Sequence, residues 1–147
     1  MSNVRKEPAK KVTTYDHAKV ENGFLIELFK DKQTGDRTEV YMTASKPGAF
    51  KGYHLHRVRQ ARYVCLKGKV TIITYERENG KWVRTENLLD ATYPQRLIIP
   101  KDVATGLQTI GDEEAWIVNY PDPAYDPSLK DEQVEYTQEE LEQGIVK

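Results

Sequence analysis

At 147 residues the chain has the size of one domain and can bury about two-thirds of its unfolded surface. Its 22 Lys and Arg against 23 Asp and Glu leave a net charge of −1, which excludes a general electrostatic pull toward nucleic acid or anionic membrane. A single Cys excludes a disulfide framework, and no apolar run reaches the ~20 residues that span a bilayer or resembles a leader, so the expected compartment is the cytoplasm.

Residues 1–14 are polar and expected to fray. From there, short runs rich in β-branched and aromatic residues recur: "GFLIELF", "TEVYMT", "RYVCL", "KVTIITYE", "WVRTE", "RLIIP", "GLQTI" and "AWIVN". Turn signals separate them, among them "QTGD", "KPG" and "ENGK", where Asn79–Gly80 suits a hairpin. This spacing predicts an all-β sandwich or barrel. In "KVTIITY", Val70, Ile72 and Thr74 share one face and Thr71, Ile73 and Tyr75 the other, so the strand is expected to be apolar on both sides. Pro121, Pro123 and Pro127 end the last of these strands. Thr137 with Glu140 three residues on forms a capping box and predicts a short C-terminal helix. The organisation expected is one domain over 1–147, flexible over 1–14, with an acidic tail over 128–147 that carries the helix.

The stretch "KPGAFKGYHLHRVRQARYVCLKGKVTIITY" holds His54 and His56, two of the three histidines, and seven basic residues: Lys46, Lys51, Arg57, Arg59, Arg62, Lys67 and Lys69. No Asp or Glu occurs from residue 40 to 75. Residues two apart on a strand point the same way, so the imidazoles project together. The surrounding cations are expected to keep His54 neutral near pH 7 and to favour an anionic ligand such as a diphosphate. His17 reads as surface, Cys65 as core, and Trp82 and Trp116 as packing. Tyr63, Tyr75 and Tyr125 read as core or rim aromatics, with Tyr41 and Tyr120 the tyrosines nominated for the site.

Gly48, His54, His56 and Gly68 are spaced like the first motif of the cupin fold, a double-stranded β-helix or jelly-roll barrel. The Glu of that motif is replaced, with Gln60 or Ala61 at its place, and in "IPKDVATGLQT" Thr105 stands where a second motif has its third His. Two imidazoles without a carboxylate suit divalent ions poorly and leave a zinc short of its usual three protein ligands, so no metal and no cofactor are expected.

Within that fold the chain resembles enzymes acting on dTDP-4-keto-6-deoxyhexoses. "NGFLIELF", Lys51–Gly52–Tyr53–His54, Gln60–Ala61–Arg62 and "IPKDVATGL" are similar to segments of the dTDP-4-dehydrorhamnose 3,5-epimerases. The departures are Thr105 for the His of the last segment and Ile117 near the place of the family's catalytic Tyr. "KGYHLHRVRQARYVCLKGKVTI", with both histidines and Cys65, equally resembles the 3,4-ketoisomerases of dTDP-4-keto-6-deoxyglucose, as does the position of Tyr41. The resemblance implies a cofactor-independent isomerase in which His54 is general base, His56, Tyr41 or Tyr120 moves a second proton, and Arg62 steadies the enolate. Lys51, Arg57, Arg59 and Gln60 are the residues expected to bind the substrate. The alternative class is a non-catalytic cupin that binds a sugar nucleotide. Open sheet edges predict a homodimer.

Overall fold

The computed structural model describes residues 6, 10–30, 39–123 and 126–147, with backbone alone for residues 29 and 30. In chain order the elements are β1 (Lys11–Tyr15), β2 (Glu21–Lys30), β3 (Glu39–Ser45), β4 (Phe50–His56), β5 (Ala61–Lys67), β6 (Lys69–Glu78), β7 (Lys81–Asp90), β8 (Arg96–Ile99), β9 (Ala104–Ile110), β10 (Ala115–Asn119), β11 (Gln133–Glu135) and α1 (Gln138–Glu142). They form a six-stranded sheet in the order β1-β2-β3-β10-β5-β8 and a five-stranded sheet in the order β11-β4-β9-β6-β7. Every pairing is antiparallel, and distant strands such as β3, β10 and β5 lie side by side, the crossover pattern of a jelly-roll cupin barrel. The all-β expectation holds, and the capping box at Thr137 and Glu140 opens α1.

The two-faced reading of β6 is what orders the layers. Val70 and Ile72 join Ala61, Cys65, Leu107 and Ile117 in a core between the sheets. Ile73 and Tyr75 point the other way and join Tyr53, Leu55, Ala104, Tyr136 and Leu141 in a second core outside the five-stranded sheet. The C-terminal segment makes this second core possible. β11 pairs with β4, α1 sets Leu141 into the apolar layer, and Trp82 packs on Tyr136 with ring centroids 5.7 Å apart. Between the sheets, Thr109 Oγ1 donates to Ser45 Oγ at 2.7 Å in a fully buried bridge.

One expectation needs correction, and one element was not foreseen. Lys11–Tyr15 does not fray; it forms β1, with Val12 opposite Leu25 and Thr14 opposite Gly23. The tail carries the expected helix and, before it, the unforeseen strand β11, where Val134 and Tyr136 alternate with Gln133 and Glu135 and pack into the second core. The "QTGD" turn and Tyr125 lie outside the described residues. Among the described residues no helix is long and apolar enough to cross a membrane.

Candidate active site

One end of the space between the sheets stays open as a cavity of about 670 Å³. Its floor is the inter-sheet core, with Ala61, Ile99, Val103, Leu107 and Ile117 belonging to both. One wall is the inner face of β4 with β9. The other is the inner face of β2, β3, β10 and β5. β1 and the turn after it form part of the rim, bringing Thr14, Asp16, His17 and Lys19 to the opening.

His54 and His56 both line the cavity. Tyr53 and Leu55, between and before them, face the second core, so period-2 alternation aims the imidazoles inward. Lys51 also faces the cavity although its spacing from His54 is odd. The β4–β9 register slips between Lys51 and His54, and Gly52 occupies φ 123° at the slip, where a Cβ would lie 2.7 Å from the Thr105 carbonyl oxygen. Thr105 itself stands directly opposite His54 in the ladder. The residue replacing the motif's third His therefore sits beside the histidines, with a hydroxyl whose hydrogen bond, at 3.5 Å, goes to the Val103 carbonyl. Among the described residues no group of three His, Cys, Asp or Glu is arranged to hold a metal ion.

The carboxylates missing from the sequence around the histidines return from the tail. β11 places Glu135 opposite His54 and Gln133 opposite His56. Glu135 Oε1 lies 3.8 Å from His54 Nδ1, and the Gln133 amide lies 3.3 Å from the same nitrogen. Gln133 Nε2–H donates to Nδ1 when the ring proton is on Nε2; the other tautomer, with Nδ1–H turned toward Glu135, would leave Nε2 with its lone pair, the form a general base needs. His56 Nδ1 sits between Arg59 Nη2 at 3.0 Å and Glu132 Oε2 at 3.2 Å. In one state Arg59 donates to Nδ1; in the other Nδ1–H donates to Glu132. Arg59 and Glu132 are both buried, and Glu132 also accepts from Arg59 N at 3.1 Å and from Nε at 3.3 Å. Burial alone would raise the Glu132 carboxyl, but these donors outweigh it and hold it below the ordinary range.

Both imidazoles titrate below 6.5. For His54 the main cause is desolvation; His17 adds to it and Glu135 opposes it. The His54 side chain is 39% exposed, but the exposed part looks into the cavity, whose walls crowd the ring. For His56 desolvation again leads, followed by Arg59. The neutral ring was expected, but not its cause, because the seven basic residues do not converge. Lys46 pairs with Glu21, Lys67 covers Trp116, Lys69 lies near Asp90, and Arg57 and Arg62 turn outward. Only Lys51 and Arg59 of the seven face the cavity, and Glu27, Glu39 and Glu135 line it too, so it is not the purely positive basin the local sequence suggests.

Of the nominated residues, His54, His56, Tyr41, Lys51 and Arg59 meet in the cavity. Arg62, Tyr120, Arg57 and Gln60 are not among its lining residues. On β5, Ala61, Tyr63 and Cys65 point inward, which sends Arg62 to the outer face. There its guanidinium stacks on Tyr120 at 4.2 Å and donates to the Tyr120 carbonyl at 2.9 Å. Arg57 donates to the Asp131 carbonyl, and the Gln60 backbone bridges Asp122. Besides Lys19 at the rim, a cation with a donor to spare in the cavity wall is Lys51. Its Nζ donates to Thr14 Oγ1 at 2.9 Å and to the Ala44 carbonyl at 3.1 Å, which accounts for two of three N–H groups, and burial lowers its pKa to about 8.

Sequence reasoning missed Glu132, Gln133, Glu135, Asn119 and His17. His17 is exposed as expected, yet it lines the cavity and its Nε2–H donates to the Gly52 carbonyl at 3.2 Å. The signal for the tail residues was "EQVEY", whose polar–apolar alternation is that of a strand with one dry face.

The model of the polysaccharide biosynthesis C-terminal domain family matches residues 18–133, from the cavity rim through the start of β11. A curated relative, the probable low-salt glycan biosynthesis epimerase Agl13 of Haloferax volcanii, is 32% identical over 123 residues, covering 77% of each chain. Among solved structures, the dTDP sugar isomerase from Desulfovibrio desulfuricans superposes with a TM-score of 0.61 at 19% identity, covering 88% of this chain and 82% of that one. The capsular polysaccharide assembling protein CapF of Staphylococcus aureus superposes with a TM-score of 0.68 at 20% identity; the chain covers only 32% of its length. These two likenesses speak to the cupin fold. With most of its length matched by the family model, the chain belongs to the polysaccharide biosynthesis C-terminal domain family.

Proposed function

We propose that the protein is a sugar-nucleotide isomerase or epimerase that acts on a dTDP-4-keto-6-deoxyhexose by removing a proton next to the keto group. The observation that carries this reading is the pair of neutral imidazoles facing a cavity open at one end of the barrel, with Tyr41 and Lys51 also on its lining. The relative named as a glycan biosynthesis epimerase supports it.

The 4-keto group acidifies the hydrogens on C3 and C5. His54 Nε2 takes one of them, and Glu135 near Nδ1 steadies the imidazolium that forms. The C–H electron pair moves onto the keto oxygen as an enolate. Lys51 takes the role the resemblance gave to Arg62, because its third N–H is available to that oxygen and Arg62 is on the other side of the sheet. Tyr41 then gives its proton to the opposite face of the same carbon, which inverts it. A second reading, 3,4-ketoisomerisation of the same substrate class, is favoured by His56, since two bases on one wall suit moving protons between adjacent centres. Incubation with dTDP-4-keto-6-deoxyglucose, followed by proton NMR, separates the readings. Epimerised 4-keto product is expected, a 3-keto product selects the second reading, and an unchanged but bound substrate leaves a binding protein.

A further inference from the structure

Asn119 is buried, on the inner face of β10, with Tyr41 opposite it on β3 and Tyr63 opposite it on β5. Its amide orientation is not a free choice. The Arg62 backbone N–H points at Asn119 from 3.0 Å and can only donate, so the atom facing it is Oδ1. The Nδ2 group is thereby turned to Tyr41 Oη, to which it donates at 2.6 Å. Among the described residues this is the one hydrogen bond of the Tyr41 hydroxyl, and the oxygen is its acceptor.

We infer that Asn119 is a positioning residue that makes Tyr41 a proton donor toward the cavity. An amide N–H on the phenol oxygen forbids the phenol from donating back along the same line, so its O–H must point elsewhere, and Tyr41 lines the cavity. The same N–H would stabilise the phenolate left once the proton has gone. The other charged and titratable groups that bear on Tyr41 are Arg59, Glu39, Tyr63 and its cross-strand neighbour Glu27. Burial keeps the phenol above its ordinary pKa, so it holds its proton until the enolate asks for it.

This inference rests on the proton-transfer reading above, and its test separates the two. Asn119→Asp is nearly isosteric but presents a carboxylate oxygen where the N–H stood; that oxygen accepts the Tyr41 O–H and ties up the proton. Turnover of dTDP-4-keto-6-deoxyglucose should fall by about 10²-fold or more, while deuterium uptake from heavy water, which needs the base alone, stays within about threefold of wild type. Asn119→Ala, which leaves the proton untied, should lose less turnover than Asn119→Asp. A purely structural asparagine predicts the reverse order. In protein labelled with ¹³C at tyrosine Cζ, the resonance that Tyr41→Phe removes should move downfield in Asn119→Asp, toward the phenolate position, because the hydroxyl now donates to an anion. Wild-type turnover in Asn119→Asp, parallel loss of exchange and turnover, or an unmoved or upfield Cζ resonance would each overturn the inference. Should Asn119→Asp not fold, Asn119→Ala decides: retained exchange with reduced turnover supports the role, and undiminished turnover sinks it. Absence of both exchange and turnover in wild type would count against the enzymatic reading, and the Cζ shift, which needs no substrate, would still decide the direction of the hydrogen bond.

Discussion

His54 is neutral because the cavity strips water from its ring, and the carboxylate beside it only partly offsets that loss. The consequence for activity has a definite sign. The base must be unprotonated, so kcat/KM should be flat through pH 7 and fall on the acid side, with an apparent pKa below 6.5. An acid limb centred above 7 would contradict this. Stability follows the same direction. Both histidines resist protonation in the fold, so between 6.5 and their depressed values the unfolded chain binds more protons, and stability is lost as pH falls through that window. His54→Asn should keep the fold and reduce turnover by roughly 10²–10⁴-fold, and Arg62→Met should leave kcat unchanged because Arg62 stacks on Tyr120 outside the cavity. A steady-state comparison of the two variants checks both. The histidine pair was legible because its spacing is local. The roles of Lys51 and Arg62 were not, because a single register slip in β4 and the parity of β5 decide which cations face inward.

At the scale of elements, β11 is the part that completes the site. Its Gln133 and Glu135 lie opposite the two histidines, and Glu132, just before it, holds Arg59. Glu132→Ala would remove the buried carboxylate that accepts from Arg59, a loss of about 3–5 kcal/mol by the usual behaviour of broken buried pairs. Leu141→Ala would open a hole under α1 worth about 2–5 kcal/mol, and by loosening the cover of the second core it should also lower turnover. Denaturant unfolding of both variants measures these losses, and a change under 1 kcal/mol in either would argue against the anchoring role. The helix was legible from its capping box, since Thr137 and Glu140 satisfy each other's backbone N–H locally. β1 and β11 escaped notice for a common reason. Each is short and polar on one side, and each exists because a neighbouring strand supplies the ladder.

At the scale of the molecule, the barrel was legible from the regular recurrence of short strands, and its second apolar layer from the two-faced pattern of β6. The merging of an acidic tail with a basic stretch into one site was not, since a jelly roll pairs segments far apart in sequence. Among the described residues the sheets end at the edge strands β1, β8, β11 and β7, and the ten-residue β7 carries exposed Val83 and Leu88. We expect a homodimer that covers part of this edge, with β1 at the interface; sedimentation at micromolar concentration should give the mass of two chains, and a monomer would count against it. On the function proposed above, this cavity removes a proton from carbon next to a keto group. That proposal is tested most directly by incubating the protein with dTDP-4-keto-6-deoxyglucose in heavy water and following the C3 and C5 positions by NMR. The account predicts deuterium at one or both positions with wild type and a rate lower by at least about 10² with His54→Asn. Wild-type incorporation no faster than in buffer alone, or equal rates in the two proteins, would contradict it.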